Sequence, residues 1–393
     1  MKRGKSSSSA DDGVSSCSGE STSETQRVYD EYSTDDEDGV PRRAASTFCF
    51  GSQLESAPCM QREIVKLSNQ QVQKIGEDLI GVANRVDVPN SSVAELQLEI
   101  QRLVSSGTFG TDAYQLACRL DPEFANSRRL KLAFLRSVEG SAKRAAKRYV
   151  RHFATKLELF GRDKLCKDIE LSDLDEYDME ALESGGFQVL REKDRAGRPI
   201  LFGRYTCMKY RSVPNMVRAL WYVWSSIIED DEAQTSGIVA IGFENGKTPL
   251  ERFECQSLLG GAAASYDLYA TSSDGGFDRD LARGILSLPL SLPIRPVGYH
   301  ICADNSQWKG ISDMVSVTLC KFVRLRLRFH YGTTQEAKYQ LMTNGVPVDS
   351  IPVKNDGEID LTYHMEWIEN RRLLEESRSN YGDQIDPDVD LDG

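Results

Sequence analysis

Arg324, Arg326 and Arg328 stand at alternate positions in the carboxy-terminal third of the chain. On a strand, alternation puts these guanidiniums on one face and Leu325, Leu327 and Phe329 on the other. Like charges on one face repel unless an anion meets them. A phosphate group would serve, and so would the chain's own carboxylates, such as Glu244 or those of its acidic ends. Catalytic groupings are harder to find. The four histidines, at 152, 300, 330 and 364, are far apart and show no metal-ligand spacing. His300 and His330 each fall within a strand candidate, where a hydrogen-bonded core histidine is expected. The nine cysteines are scattered singly with no C-x-x-C pair, which reads as reduced thiols filling the core. There is no G-x-S-x-G, G-x-x-x-x-G-K-[ST] or H-E-x-x-H, and no G-x-G-x-x-G after a strand. The chain is therefore expected not to be an enzyme and to hold no metal or cofactor.

The elements that position these residues follow from the apolar period. Ile64, Val65, Val72, Ile75, Leu79 and Val82 fall near helical spacing, and Ser92-Val93-Ala94-Glu95 reads as a capping box ahead of Leu96, Ile100 and Leu103. A further helix is expected from about 141 to 160, with Ala145, Ala146, Tyr149, Val150, Phe153 and Leu157 on one stripe. Its other side carries Lys143, Arg144, Lys147, Arg148 and Arg151. That side suits an anionic surface, and it is equally what any solvated helix shows. From residue 186 the period shortens. Strands are expected at Phe187–Arg191, Pro199–Tyr205, Ile238–Phe243, Pro296–Cys302 and Arg326–Tyr331, with a helix over Asn215–Glu229 between the second and third. Strands alternating with helices predict an α/β fold: a helical lead-in, then a mixed, partly parallel sheet covered by helices.

Of the 393 residues, 40% are hydrophobic, enough for one folded region of roughly 250 to 300 residues with tails. Net charge is -12, of which residues 1–60 carry -5 and residues 375–393 carry -6. The near-neutral remainder argues against nucleic acid as a partner. Residues 1–60 hold 13 serines and the run Asp35-Asp36-Glu37-Asp38, too little apolar surface to offset the entropy of ordering. The expected organisation is a disordered tail over 1–60, a helical segment over 61–165, an α/β domain ending in a helix over 166–374, and an acidic tail over 375–393. No signal-peptide core follows the basic start, and no run approaches the roughly 20 apolar residues of a spanning helix. A soluble cytoplasmic protein with only peripheral, transient membrane contact is expected.

Several landmarks in one order resemble the CRAL-TRIO family of lipid-binding proteins. Arg128 to Arg136 followed by Ala142 to Gly161 is similar to its amino-terminal helical segment, and Gly197-Arg198-Pro199-Ile200-Leu201 to the start of a family strand. Ile238 to Gly246 resembles the central apolar strand, Arg295 to Ile301 the strand before the lipid gate, Arg324 to Gly332 the strand after it, and Val346 to Pro352 with Gly357 the closing segment. The chain departs from the pattern at Cys302-Ala303-Asp304, at Thr318 to Phe322 and at the single Gly357.

The resemblance implies an enclosed apolar pocket lined by Phe202, Tyr222, Val239, Ile241, Tyr299, Ile301, Met314, Val317 and Phe329. It implies a headgroup or anion site at Arg324, Arg326 and Arg328, and a gate helix near 307–321 that meets the membrane through Trp308 and Ile311. The expected function is binding of a hydrophobic small molecule or phospholipid and its transfer between membranes. The alternative on the same fold is an adaptor or regulatory module with a degenerate pocket.

Overall fold

The computed structural model describes residues 65–82, 85–204, 207–244, 284–285, 288–303, 325–354 and 357–382. The amino-terminal tail, the gate helix with Trp308, Ile311, Met314 and Val317, and Arg324 lie outside the described residues.

The helical lead-in comprises α1 (Asn69–Leu79), α2 (Ser91–Ser106), α3 (Thr111–Leu120), α4 (Pro122–Ala125), α5 (Arg128–Ser137) and α6 (Ala142–Phe160). Local chemistry sets their ends. Ser68 and Gln71 form a reciprocal capping box on α1. Helix α2 begins after Asn90, whose side chain makes no cap bond, so the expected box at Ser92 is not formed. It ends on Gly107 at φ 64°, a conformation that glycine adopts without strain. Leu96 and Ile100 of α2 meet Tyr114, Phe134, Tyr149 and Phe153 in one buried cluster. Its aromatic rings pack edge to face, Phe134 on Tyr149 at 5.3 Å and Tyr149 on Phe153 at 5.5 Å. Helix α6 joins this layer to the next, since its His152 ring stacks on Trp221 at 5.2 Å and bonds Ser291 O at 3.0 Å.

The second layer is a five-stranded sheet in the order β1 (Phe187–Val189), β2 (Ile200–Gly203), β3 (Ile238–Glu244), β4 (Pro296–Ala303) and β5 (Leu327–Tyr331). The first pair is antiparallel and the rest are parallel. Helix α7 (Glu176–Glu183) precedes β1, α8 (Val213–Ile227) and α9 (Asp231–Ser236) connect β2 to β3, and α10 (Thr334–Thr343) follows β5. The long α11 (Thr362–Gly382) closes the chain. It runs beyond 374, the expected end of the α/β domain, and its buried Glu375 is tied into the body.

Parallel strands in sequential order need crossovers in one direction, and crossovers of one hand lie on one face. Accordingly α8 and Leu288, Leu292 and Ile294 share a core with Leu201, Ile238 and Ala240. Helix α10 and the segment Val346 to Val353 cover the other face, against Ile200, Phe202, Val239, Ile241, Phe243 and Cys302.

Candidate functional site

The register across the parallel strands sorts the expected pocket residues by face. Leu201, Ala240, Tyr299 and Leu327 are cross-strand neighbours in one row. Phe202, Ile241, His300 and Arg328 make the next row on the opposite face, and Gly203, Gly242, Ile301 and Phe329 return to the first. Of the expected lining, Tyr299, Ile301 and Phe329 therefore share the face of α8. Phe202, Val239 and Ile241 point the other way and are buried against the α10 side. The nine residues cannot line one pocket, because a sheet of period two divides neighbouring positions between its faces. Tyr222 is also placed differently. It lies on α8, and its hydroxyl donates to Glu375 at 2.6 Å and accepts from Arg371 at 3.0 Å, which anchors α11.

What remains on the α8 face is a floor at the carboxyl ends of the strands. Core strands of parallel sheets are normally buried on both faces. Here Tyr299 and Ile301, on the interior strand β4, are only half-buried, as is Phe329 on β5. Tyr331 stacks beside Phe329 at 6.2 Å and is 43% exposed. Next to them Gly242 contributes no side chain, whereas the space over Gly203 is taken by Phe187, whose Cε1 would lie 3.2 Å from a Cβ there. Among the described residues a Cβ on Gly242 would meet only Ile301 Cγ1, at 3.8 Å, an ordinary contact distance. The expected list omitted both glycines, although a glycine inside a strand signals a close approach. Open α/β sheets take ligands at the carboxyl ends of their strands.

Arg326 and Arg328 are not a cationic rim for this floor. Arg326 is buried, and its Nε and Nη2 donate to Asp78 Oδ2 of α1 at 3.0 and 2.9 Å. Asp78 O accepts from Arg198 Nη2 at 2.7 Å, so the last turn of α1 is clasped to the starts of β2 and β5. Arg328 lies on the far face and gives Nη1 to Leu327 O at 2.8 Å. A shared anion-facing row of arginines is thus replaced by an internal ion pair and a separately placed cation. The basic side of α6 is drawn in only in part, with Lys143 and Arg144 exposed. Arg151 is buried, Arg148 donates to Ile294 O at 3.2 Å, and Arg144 to Val138 O at 2.9 Å.

His300 and His330, distant in sequence, are brought together: His300 Nδ1 lies 3.0 Å from His330 Nε2. Burial is the main force holding both below the usual imidazole range, His300 down to about 3, with neighbouring Arg328 adding to it for each. Among the described residues, no group of three or more His, Cys, Asp or Glu side chains is arranged to hold a metal.

The fold and face together define a mixed α/β protein with a partly uncovered apolar floor on its sheet. Among solved structures the chain is similar to one described as "Crystal structure of Sfh5", with a TM-score of 0.36 and 8% identity over 65% of this chain and 83% of that one. No protein-family model matches the chain, and no curated protein does.

Proposed function

We propose that the protein binds an elongated apolar molecule, a phospholipid chain or an isoprenoid, against the floor of Gly242, Tyr299, Ile301 and Phe329, and carries it between membranes without making or breaking bonds. The observation that carries this reading is the partial exposure of Tyr299 and Ile301 on β4, an interior strand, beside Gly242 of β3. An apolar surface left half-covered favours an apolar occupant, at roughly 25 cal/mol for each Å² removed from water. Among the described residues no helix is long and apolar enough to cross a membrane, which accords with peripheral contact. Native mass spectrometry of the purified protein tests the reading. A copurified lipid released on unfolding supports it. A bare protein that also takes up no lipid from mixed vesicles favours the adaptor instead.

A further inference from the structure

Among the described residues β5 is the outer strand of the sheet, with β4 on one side and no strand on the other. Its backbone parity follows from the ladder. Tyr299 N donates to Arg326 O at 3.0 Å and Gly332 N to Ala303 O at 3.1 Å, so the even-numbered residues of β5 turn their amides and carbonyls to β4. Leu327, Phe329 and Tyr331 turn theirs to the outer edge.

Side chains take the outward carbonyls on either side of Phe329. Arg328 Nη1 reaches back to Leu327 O at 2.8 Å and to Leu325 O at 3.4 Å. Gln340 of α10 gives Nε2 to Tyr331 O at 3.3 Å, its Oε1 is held 3.0 Å from His330 Nδ1, and His330 in turn is bonded to His300. The stacked histidines thus fix the amide that caps the edge. Arg328 pairs with no carboxylate among the described residues, and it is the one Lys, Arg, Asp or Glu in the strand Leu-Arg-Phe-His-Tyr. Without it the strand is a β-forming run of low charge, with Phe329 half-buried and Tyr331 exposed. Bare edges of that kind pair with other strands, and natural sheets guard them with charged side chains.

The edge is also self-complementary. A second copy laid antiparallel about Phe329 would exchange the Phe329 amide and carbonyl with their counterparts, and would set Leu327 opposite Tyr331 of the other copy. Those flanking pairs need the Leu327 and Tyr331 carbonyls, which are already taken. We propose that Arg328 and Gln340 keep this edge from joining the same edge of a second copy, by holding the carbonyls that a sheet continued across two molecules would need. The central Phe329 pair alone stays available to a copy. One such edge per molecule limits any product to a closed dimer. The inference does not depend on what the floor binds.

Sedimentation velocity of the full chain over a wide concentration range tests it. The unaltered chain is expected to remain monomeric. Arg328→Thr keeps a strand-forming residue and removes the cap, and it should dimerise at least about tenfold more tightly than the unaltered chain, since regaining a hydrogen bond in each flanking pair is worth about that factor. Adding Phe329→Pro removes an outward amide that β4 does not use and should return the variant to monomer. Hydrogen exchange read by NMR on the unaltered chain gives a check that needs no variant. There the Phe329 amide should exchange at least about tenfold faster than the His330 amide, which faces β4. Equal protection of the two amides, an Arg328→Thr variant that dimerises no more than the unaltered chain, or a dimer indifferent to Phe329→Pro would each overturn the proposal. Open-ended aggregation of Arg328→Thr without a dimer would do the same.

Discussion

His300 and His330 stack with ring centroids 5.2 Å apart and planes 20° from parallel, and share one hydrogen bond on a sheet face covered by α10. Buried together beside Arg328, they are held neutral, since a proton on either ring would be desolvated and repelled. His152, wholly buried and facing Lys156, is likewise pushed down to about 3, and His364 is lowered by burial.

Acid should therefore weaken the fold before the carboxylates titrate. The unfolded chain takes up protons near pH 6.5 that the native histidines refuse, so stability is full above that value and is lost as pH falls toward about 3. Between pH 7 and pH 5 His152 and His300 should each cost about 2 kcal/mol. Urea unfolding across that range measures the slope, which His152→Gln should reduce. A flat profile would contradict the burial of these rings.

The two faces of the sheet should answer differently to substitution. Gly242→Phe projects into the space above Ile301 without backbone strain and is expected to lower binding of a fluorescent fatty acid by about tenfold or more with little change in Tm. Ile241→Ala, one residue away on the opposite face, should cost about 2 to 5 kcal/mol of stability while folded molecules bind as before. Equal effects of both on binding would show that the floor is misplaced.

Asp78 and Arg326 form a buried pair across 248 residues of sequence. Removing one partner takes the buried ion pair from the other, so Asp78→Ala should destabilise by about 3 to 5 kcal/mol. Asp78→Ala with Arg326→Leu should recover part of that loss. A double-mutant cycle in urea gives the coupling, and its absence would mean that α1 is held by other contacts.

Glu375 accepts the Leu171 amide at 2.8 Å and the Tyr222 hydroxyl at 2.6 Å, and pairs with Arg371 at 2.8 Å. A chain ending at 374 should lose about 2 kcal/mol or more through these orphaned groups. Hydrogen exchange should rise in α11 and at Leu171. An unchanged melting temperature would return residues 375–382 to the status of a tail.

Much of the architecture was legible in local pattern. Strand positions from Phe187, Ile200, Ile238, Pro296 and Leu327, and the helices Ala142–Phe160 and Val213–Ile227, follow from the period of their apolar residues, because burial of one face imposes that period on the chain. Glycines 203 and 242 carried a readable signal of close approach, which Phe187 makes over Gly203. Alternation also shows that Arg326 and Arg328, or Phe202 and Arg204, are matched in parity within a strand. It is silent on what lies across. That Phe202 and Ile241 pack under α10 while Ile301 and Phe329 stay half-covered was decided by strand register and by the side on which each crossover returns. The partner of Arg326 was decided by the docking of α1, and that of His300 by the parallel pairing of β4 with β5. Periodicity fixes a residue's direction relative to its neighbours, and only the assembled tertiary structure supplies the side chain it meets.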